Sequence, residues 1–210
     1  MNSFITNQNW RYATKKFDAT KKVSNEDLQT LKEAIQLSTS SYGLQPYKVL
    51  IIENPEVRKQ LQPVSWGQSQ IVDASHLIVF ANYTNINETH IDNYINNIAQ
   101  SRKLNVEDLA GYSDFMKSKI LALPQEQLAV WTSKQTYLAL GNLINAAAEL
   151  KIDVTPMEGF EPAKYNEILG LNELGLNASL VAPIGYRHDE DVNQHLAKVR
   201  KPLDELFETI

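Results

Sequence analysis

Two hydrophobic periods alternate along this chain. Leu28, Leu31 and Ile35 share one face at helical spacing, with Ser24 ahead of them and Asp27 close behind it. A serine there accepts a hydrogen bond from the Asp27 amide, and the aspartate adds negative charge to the first turn. The pattern predicts a helix from Ser24, and a shorter amphipathic helix is expected from Trp10 onward. Gly43 and Pro46 in "SSYGLQP", residues 40 to 46, end helical character. "YKVLIIE", residues 47 to 53, is β-branched and aromatic and reads as a buried strand. "PEVRKQLQ" follows as a short helix with Pro55 in its first turn. "HLIVFANY", residues 76 to 83, is a second strand.

Residues 88–101 and 105–122 carry a weaker apolar stripe and are expected to form a helical excursion from the core. The longest helical pattern covers residues 124–150, starting at Pro124. Leu128, Trp131, Leu138, Leu143, Ala146 and Ala147 make it apolar on more than one side, as in a helix at the middle of a core. "VTPMEGF", residues 154 to 160, reads as a loop, and "PAKYNEILG" as a short helix stopped by Gly170. "ASLVAPIGYR", residues 178 to 187, is a third strand with a break at Pro183, and the polar tail ends in a last amphipathic segment. This order is not a regular βαβ alternation. It predicts one α+β domain over residues 1–210, helices around a small sheet, with the excursion at about 85–122.

Composition narrows the functional classes. Of 210 residues, 43% are hydrophobic and 21% charged, an ordinary globular balance. No apolar run reaches the roughly 18 residues of a membrane span, and "MNSFITNQNW" lacks the layout of a signal peptide. Cysteine is absent, so disulfides, thiolate catalysis and Cys-based metal sites are excluded, and the cytoplasm is the expected compartment. The net charge of −5 opposes a global nucleic-acid role. Positive charge is nonetheless concentrated in Arg11, Lys15, Lys16, Lys21 and Lys22 near one end and in Lys198, Arg200 and Lys201 near the other. Two readings stay open for these groups: solvated ends, or a local anion site.

The common side-chain chemistries are missing. His76, His90, His188 and His195 are not spaced as a metal pair on one helix face, so no metal is expected. There is no GxGxxG after a strand, no GxxxxGKS and no GxSxG. With no nucleophile advertised, a bound cofactor is the better candidate for the chemistry.

Several segments, in this order, resemble the FMN-dependent nitroreductase family: "RYATKKFD" (11–18), "STSSYGLQPYKVLII" (38–52), "DASHLIVF" (73–80), "TPMEGF" (155–160) with "PIGYR" (183–187), and "AKVRKP" (197–202). The likeness covers nearly the whole chain and is greatest to small bacterial nitroreductases and NAD(P)H-dependent flavin oxidoreductases. It implies an α+β fold with a mostly antiparallel sheet, a long central helix and an intertwined homodimer. The implied cofactor is bound FMN, with NADH or NADPH as co-substrate. It also implies a ping-pong reaction in which hydride passes through flavin N5 to a nitroaromatic, quinone or related acceptor. Alternatives within the resemblance are flavin reduction, a dehalogenase-like reaction, or flavin binding without turnover.

Carried over residue by residue, the resemblance places Arg11, Tyr12, Ala13 and Lys15 on the flavin, with Lys15 near N1 and the C2 carbonyl. Lys198 and Arg200 are implied to hold the phosphate, where charge-assisted donors suit a dianion. Ser40 and Ser41 are implied to reach the flavin from the other subunit. Pro156, Met157, Glu158 and Gly159 are implied to line N5, Met157 against the ring and the Glu158 and Gly159 amides toward N5, with no catalytic side chain. Gln70 stands where some family members place a lysine. Tyr94, Tyr112 and Phe115 in the excursion are implied candidates for substrate stacking. Gly43 departs from an asparagine that is frequent in the family.

Overall fold

The computed structural model describes residues 2–210. Strands β1 (Tyr47–Ile52), β2 (His76–Tyr83), β3 (Asp153–Val154) and β4 (Leu176–Gly185) form one antiparallel sheet in the order β1-β2-β4-β3. Among the described residues the α-helices are α1 (Ser3–Trp10), α2 (Asn25–Gln36), α3 (Pro55–Leu61), α4 (Gln70–Asp73), α5 (Glu88–Arg102), α6 (Ala110–Ile120), α7 (Gln125–Glu149), α8 (Pro162–Ile168) and α9 (Leu203–Leu206). The fold is α+β, as expected.

Strand β2 is buried on both faces, which is why it reads as a continuous apolar run. Its side chains alternate. Ile78 and Phe80 pack with Leu28, Leu31 and Ile35 of α2 and Ala139, Leu143 and Ala147 of α7. Leu77, Val79 and Ala81 pack on the opposite face with Leu61 of α3, Ile71 of α4 and Tyr165 of α8. In β4 the alternation changes sense part-way. Leu180, Ala182 and Ile184 face α2 and α7, whereas Leu176 and Ala178 face the other layer. The cause is a bulge: Phe80 pairs with Leu180 and Ala81 with Ala178, leaving Ser179 unpaired in the ladder. Its hydroxyl contacts Ser133 and Thr136 of α7, each at 3.1 Å.

Three local expectations are corrected. The N-terminal helix ends at Trp10 instead of starting there. Its sequence has no apolar face, and it docks through Asn7 Nδ2, which donates to Glu149 at 2.8 Å, and Gln8 Nε2, which donates to Asn145 at 2.8 Å. Pro183 does not break the last strand; β4 runs through it to Gly185. The Thr155 amide donates to the Pro183 carbonyl at 3.0 Å, so the missing proline N–H faces Thr155, just past the end of the edge strand β3. Part of the segment read as a loop is the edge strand β3, and Met157 pairs again with Val181.

The weak stripe of α5 and α6 still closes a small core. Ile91, Ile95 and Ile98 of α5 meet Met116 and Ile120 of α6, with Ile86 and Leu128 beside them. Helix α7 buries Leu128, Ala139, Leu140 and Leu143, but Val130, Tyr137 and Leu138 stay exposed on the chain's surface.

Candidate functional site

Residues 11–16 leave α1 as an extended arm, held at its far end by the sheet. Phe17 bridges to Arg187, the Asp18 amide donates to the Tyr186 carbonyl at 2.8 Å, and the His188 amide donates to the Lys16 carbonyl at 2.9 Å. The Arg187 guanidinium donates to Asp153 through Nε and NH2, at 3.0 and 2.6 Å. It lies 4.3 Å from the ring centroid of Trp10 and 4.6 Å from that of Tyr12. Two aromatic rings and a buried carboxylate therefore fix this cation and, with it, the start of the arm.

The arm brings Arg11 to the C-terminal segment. A cavity of about 320 Å³ is lined by Arg11, Tyr12, Ala13, Lys198 and Arg200, together with Trp10 and Asn193. The Lys198 ammonium donates to the Arg11 carbonyl. Burial, then the charge of Arg200, lowers the Arg11 guanidinium from its ordinary value; burial, then Arg11 and Arg200, lowers Lys198. Among the described residues, none of these three cations is paired with a carboxylate. Crowded like charges with no counter-charge make a receptor for a polyanion.

Lys15 has an exposed side chain, and its amide donates to Asp191 Oδ2 at 2.7 Å. Burial alone would raise the Asp191 carboxyl, but donors from Asn193, the Lys15 and Lys16 amides and Tyr12 outweigh it and hold it at about 2. A depressed carboxylate contributes stability above its unfolded value near 3.9 and loses it as pH falls through the folded value. The expected result is a melting temperature that declines between about pH 4 and pH 2, and an Asp191→Asn variant whose decline in that window is shallower.

The loop after β3 forms a second part of the site. Met157 exchanges hydrogen bonds with Val181, at 2.8 and 3.0 Å, so its amide is committed. Its side chain packs with Leu61 and Ile71 while lining a cavity of about 230 Å³ with Pro156, Glu158, Tyr137 and Leu180. Among the described residues, the Glu158 and Gly159 amides donate to no acceptor. The Tyr137 hydroxyl donates to Glu158 Oε1 at 2.5 Å, and burial together with that carboxylate pushes the phenol up to about 12. Gly159 lies under the Trp66 ring: a Cβ there would come 2.8 Å from Cζ3. Gln68 Nε2 donates to the Gly159 carbonyl at 3.1 Å.

Trp66, Gln68 and Tyr137 were not among the sequence candidates. The available signal was "SWGQ": a tryptophan beside a glycine on a turn, where both take positive φ, 56° and 69°. Trp66 is 74% exposed, an unusual position for so large an apolar ring. Gln70 opens α4 and is 6% exposed; its side-chain amide makes no hydrogen bond among the described residues but is not sealed from solvent, and the buried side-chain polar atom left without a partner there is Thr14 Oγ1.

The remaining candidates lie elsewhere within one chain. Ser40 Oγ accepts from the Gln45 amide at 2.9 Å, and the Ser41 amide donates to Gln135 Oε1 at 2.8 Å. Neither serine lines the basic cavity or the cavity at 156–158. Tyr94 lines a third cavity, of about 510 Å³, with Lys32, Gln45, Tyr47 and His90. The Tyr112 hydroxyl donates to the Tyr42 carbonyl at 3.2 Å, and the Phe115 ring stands 6.2 Å from that of Tyr42. Among the described residues no group of three His, Asp or Glu side chains could hold a metal, and no helix is long and apolar enough to cross a membrane.

Residues from both ends of the chain thus line one basic cavity, and the Thr155 hydroxyl, which donates to the Thr14 carbonyl, links the arm to the start of the loop that carries the free amides. The Nitroreductase family model matches residues 9–186. The chain belongs to the nitroreductase family. Family relatives include a Staphylococcus haemolyticus protein assigned as an NAD(P)H nitroreductase, 36% identical over 212 residues, covering 96% of this chain and 94% of the relative. The major NAD(P)H-flavin oxidoreductase of Aliivibrio fischeri is 34% identical over 204 residues, with 94% of each covered. A solved structure from Exiguobacterium sibiricum, assigned as a nitroreductase and in complex with FMN, superposes with a TM-score of 0.86 at 19% identity. That alignment covers 100% of this chain and 98% of the other, and at this identity it shows a shared nitroreductase-family fold.

Proposed function

We propose that this nitroreductase-family chain is an FMN-dependent oxidoreductase that uses NADH or NADPH to reduce nitroaromatic, quinone or related acceptors. The observation that carries the reading is the convergence of Arg11, Lys198 and Arg200 on one cavity with no carboxylate between them. The residues present fit FMN. The three cations suit its phosphate, the unpartnered amides of Glu158 and Gly159 suit a hydrogen-bond acceptor at the ring, and the unpartnered Gln70 amide suits a ring carbonyl.

When bound, FMN would supply the two-electron hydride chemistry between nicotinamide and acceptor. The protein orients and tunes. The fixed amides of Glu158 and Gly159 are held by the Met157–Val181 pairing on one side and by the Gln68 bond on the other. They need no reorganisation when charge develops nearby. Tyr137 restrains the Glu158 carboxylate. Lys15 and Gln70 would hold the pyrimidine end in this reading. Gln70 donates without charge, so a Gln70→Lys variant should raise the flavin midpoint potential, measured anaerobically against a reference dye; an unaltered potential removes this role.

A homodimer follows from the same reading. Val130, Tyr137 and Leu138 on α7 and Leu203, Leu206 and Phe207 in the tail are exposed apolar residues that a second copy would cover. Ser40, Ser41, Tyr94, Tyr112 and Phe115 would then complete the partner's site.

The test is an absorbance spectrum of the purified protein followed by anaerobic titration with NADH and NADPH. A yellow dimer that oxidises either nicotinamide and passes electrons to menadione or nitrofurazone is expected. A colourless protein whose apo form does not take up added FMN would overturn the reading. The relative from Aliivibrio fischeri favours a second reading, flavin reduction. Free FMN turning over faster than any nitro or quinone acceptor would select it.

A further inference from the structure

One buried carboxylate, used by no step above, joins the two halves of the basic cradle. Asp191 is 2% exposed. Its Oδ2 accepts from the Tyr12 hydroxyl at 2.9 Å and from the Lys15 and Lys16 amides at 2.7 and 3.1 Å. Its Oδ1 accepts from the Asn193 amide and side-chain amide at 3.0 and 2.9 Å. One oxygen therefore serves the N-terminal arm, and the other serves the loop that leads into Lys198 and Arg200.

We propose that Asp191 is a positioning residue for the cofactor phosphate, tying the Lys198–Arg200 segment to the arm that carries Arg11 before any anion arrives. The inference rests on the reading of the basic cavity as an FMN phosphate site. Its physical basis is the mutual repulsion of three cations. Left to themselves, Arg11, Lys198 and Arg200 would separate, and a ligand would have to gather them at the cost of their freedom. The segment beyond the loop cannot hold itself in place. Among the described residues, the only hydrogen bond from residues 197–210 to another part of the chain is the one from Lys198 to the Arg11 carbonyl. Val199, Leu203, Leu206 and Phe207 are exposed.

The arm itself does not depend on Asp191 for its place. The Phe17–Arg187 bridge and the stacking of Arg187 on Trp10 and Tyr12 hold it independently. Loss of the carboxylate is therefore expected to release the C-terminal segment and leave the fold intact. An Asp191→Asn change is a sharp probe. Both carboxylate oxygens accept only, and an amide nitrogen placed on either side would meet donors with a donor.

The experiment compares apoprotein and D191N by quenching of flavin fluorescence, with FMN and riboflavin titrated separately. Riboflavin lacks the phosphate and reads the ring contacts alone. In D191N the FMN dissociation constant is expected to rise about tenfold or more, the size of one lost charge-assisted hydrogen bond, while riboflavin affinity stays within about twofold. Equal loss for both flavins, or no loss for either, overturns the inference while leaving the flavin reading in place. A wild-type protein that binds riboflavin as tightly as FMN overturns the inference together with the reading of the basic cavity as a phosphate site. Should D191N fail to fold, hydrogen exchange of the wild-type apoprotein decides. Slow exchange at the Lys15 and Lys16 amides is expected, and exchange at the rate of free amides overturns the tie.

Discussion

Replacing Lys198 and Arg200 together by alanine is expected to raise the dissociation constant for FMN by about two orders of magnitude. A hydrogen bond to a charged group contributes roughly 1.5–3 kcal/mol, and two are removed. Arg200 is exposed and Lys198 half-buried, so solvent screening favours the lower end of that range. Arg11 remains, and with two like charges gone from its surroundings it is easier to keep charged. The melting temperature of the apoprotein should therefore hold or rise slightly while cofactor affinity collapses. Salt gives an independent check. Wild-type affinity should fall between low and high ionic strength, and that of the double variant should depend on salt far less. Unaltered FMN affinity in the double variant would mean that the phosphate is held elsewhere.

The second large effect is on stability. Asp153 is 2% exposed and holds the half-buried Arg187 through both of its oxygens. It also accepts from the Arg187 amide at 2.8 Å. An Asp153→Ala change leaves a desolvated guanidinium between two aromatic rings with no counter-charge. Breaking a buried pair in this way costs about 3–5 kcal/mol. For a chain of this size each kcal/mol moves the midpoint by about 2–4 °C, so a drop of about 6–20 °C is expected by scanning calorimetry. The damage should spread to the site, because Arg187 orders Trp10 and Tyr12 at the root of the basic arm. An Arg187→Lys variant keeps the charge but loses the planar fork and the stacking, and should fall between wild type and Asp153→Ala. A drop of only a degree or two in Asp153→Ala would show that the arm is held without the Asp153–Arg187 pair, by its backbone bonds to Tyr186 and His188 and its bonds to Asp191.

The corrections share a cause. Asn2 caps α1 by accepting the Phe4 amide on its side-chain oxygen, yet α1 has no apolar stripe, so hydrophobic spacing could not mark it. Pro183 is a strand breaker by local rules and is tolerated because its missing donor faces the end of a two-residue edge strand. Hydrophobic spacing does not mark Trp66, because a lone aromatic in a turn carries no period. Its importance lies in the 2.8 Å approach that a Cβ at Gly159 would make, and that contact is invisible to local pattern.

The amino-acid sequence alone determined where the long elements lie. Strand β2 was legible to the residue, because a run buried on both faces is continuously apolar, here from Leu77 to Ala81. Helix α2 was legible from its cap, where Ser24 accepts from the Asp27 amide at 3.0 Å. The family likeness carried the basic motifs and the "PMEG" loop. Only the tertiary structure decided how these pieces meet. Lys198 and the Arg11 carbonyl are 187 positions apart, the Tyr12–Asp191 bond spans 179 and the Arg187–Asp153 pair 34. Periodicity records which face of an element turns inward, an effect of neighbours a few residues away. Contacts across the whole chain depend on how sheet and helices stack, and they are set by packing and charge that no short window of sequence contains.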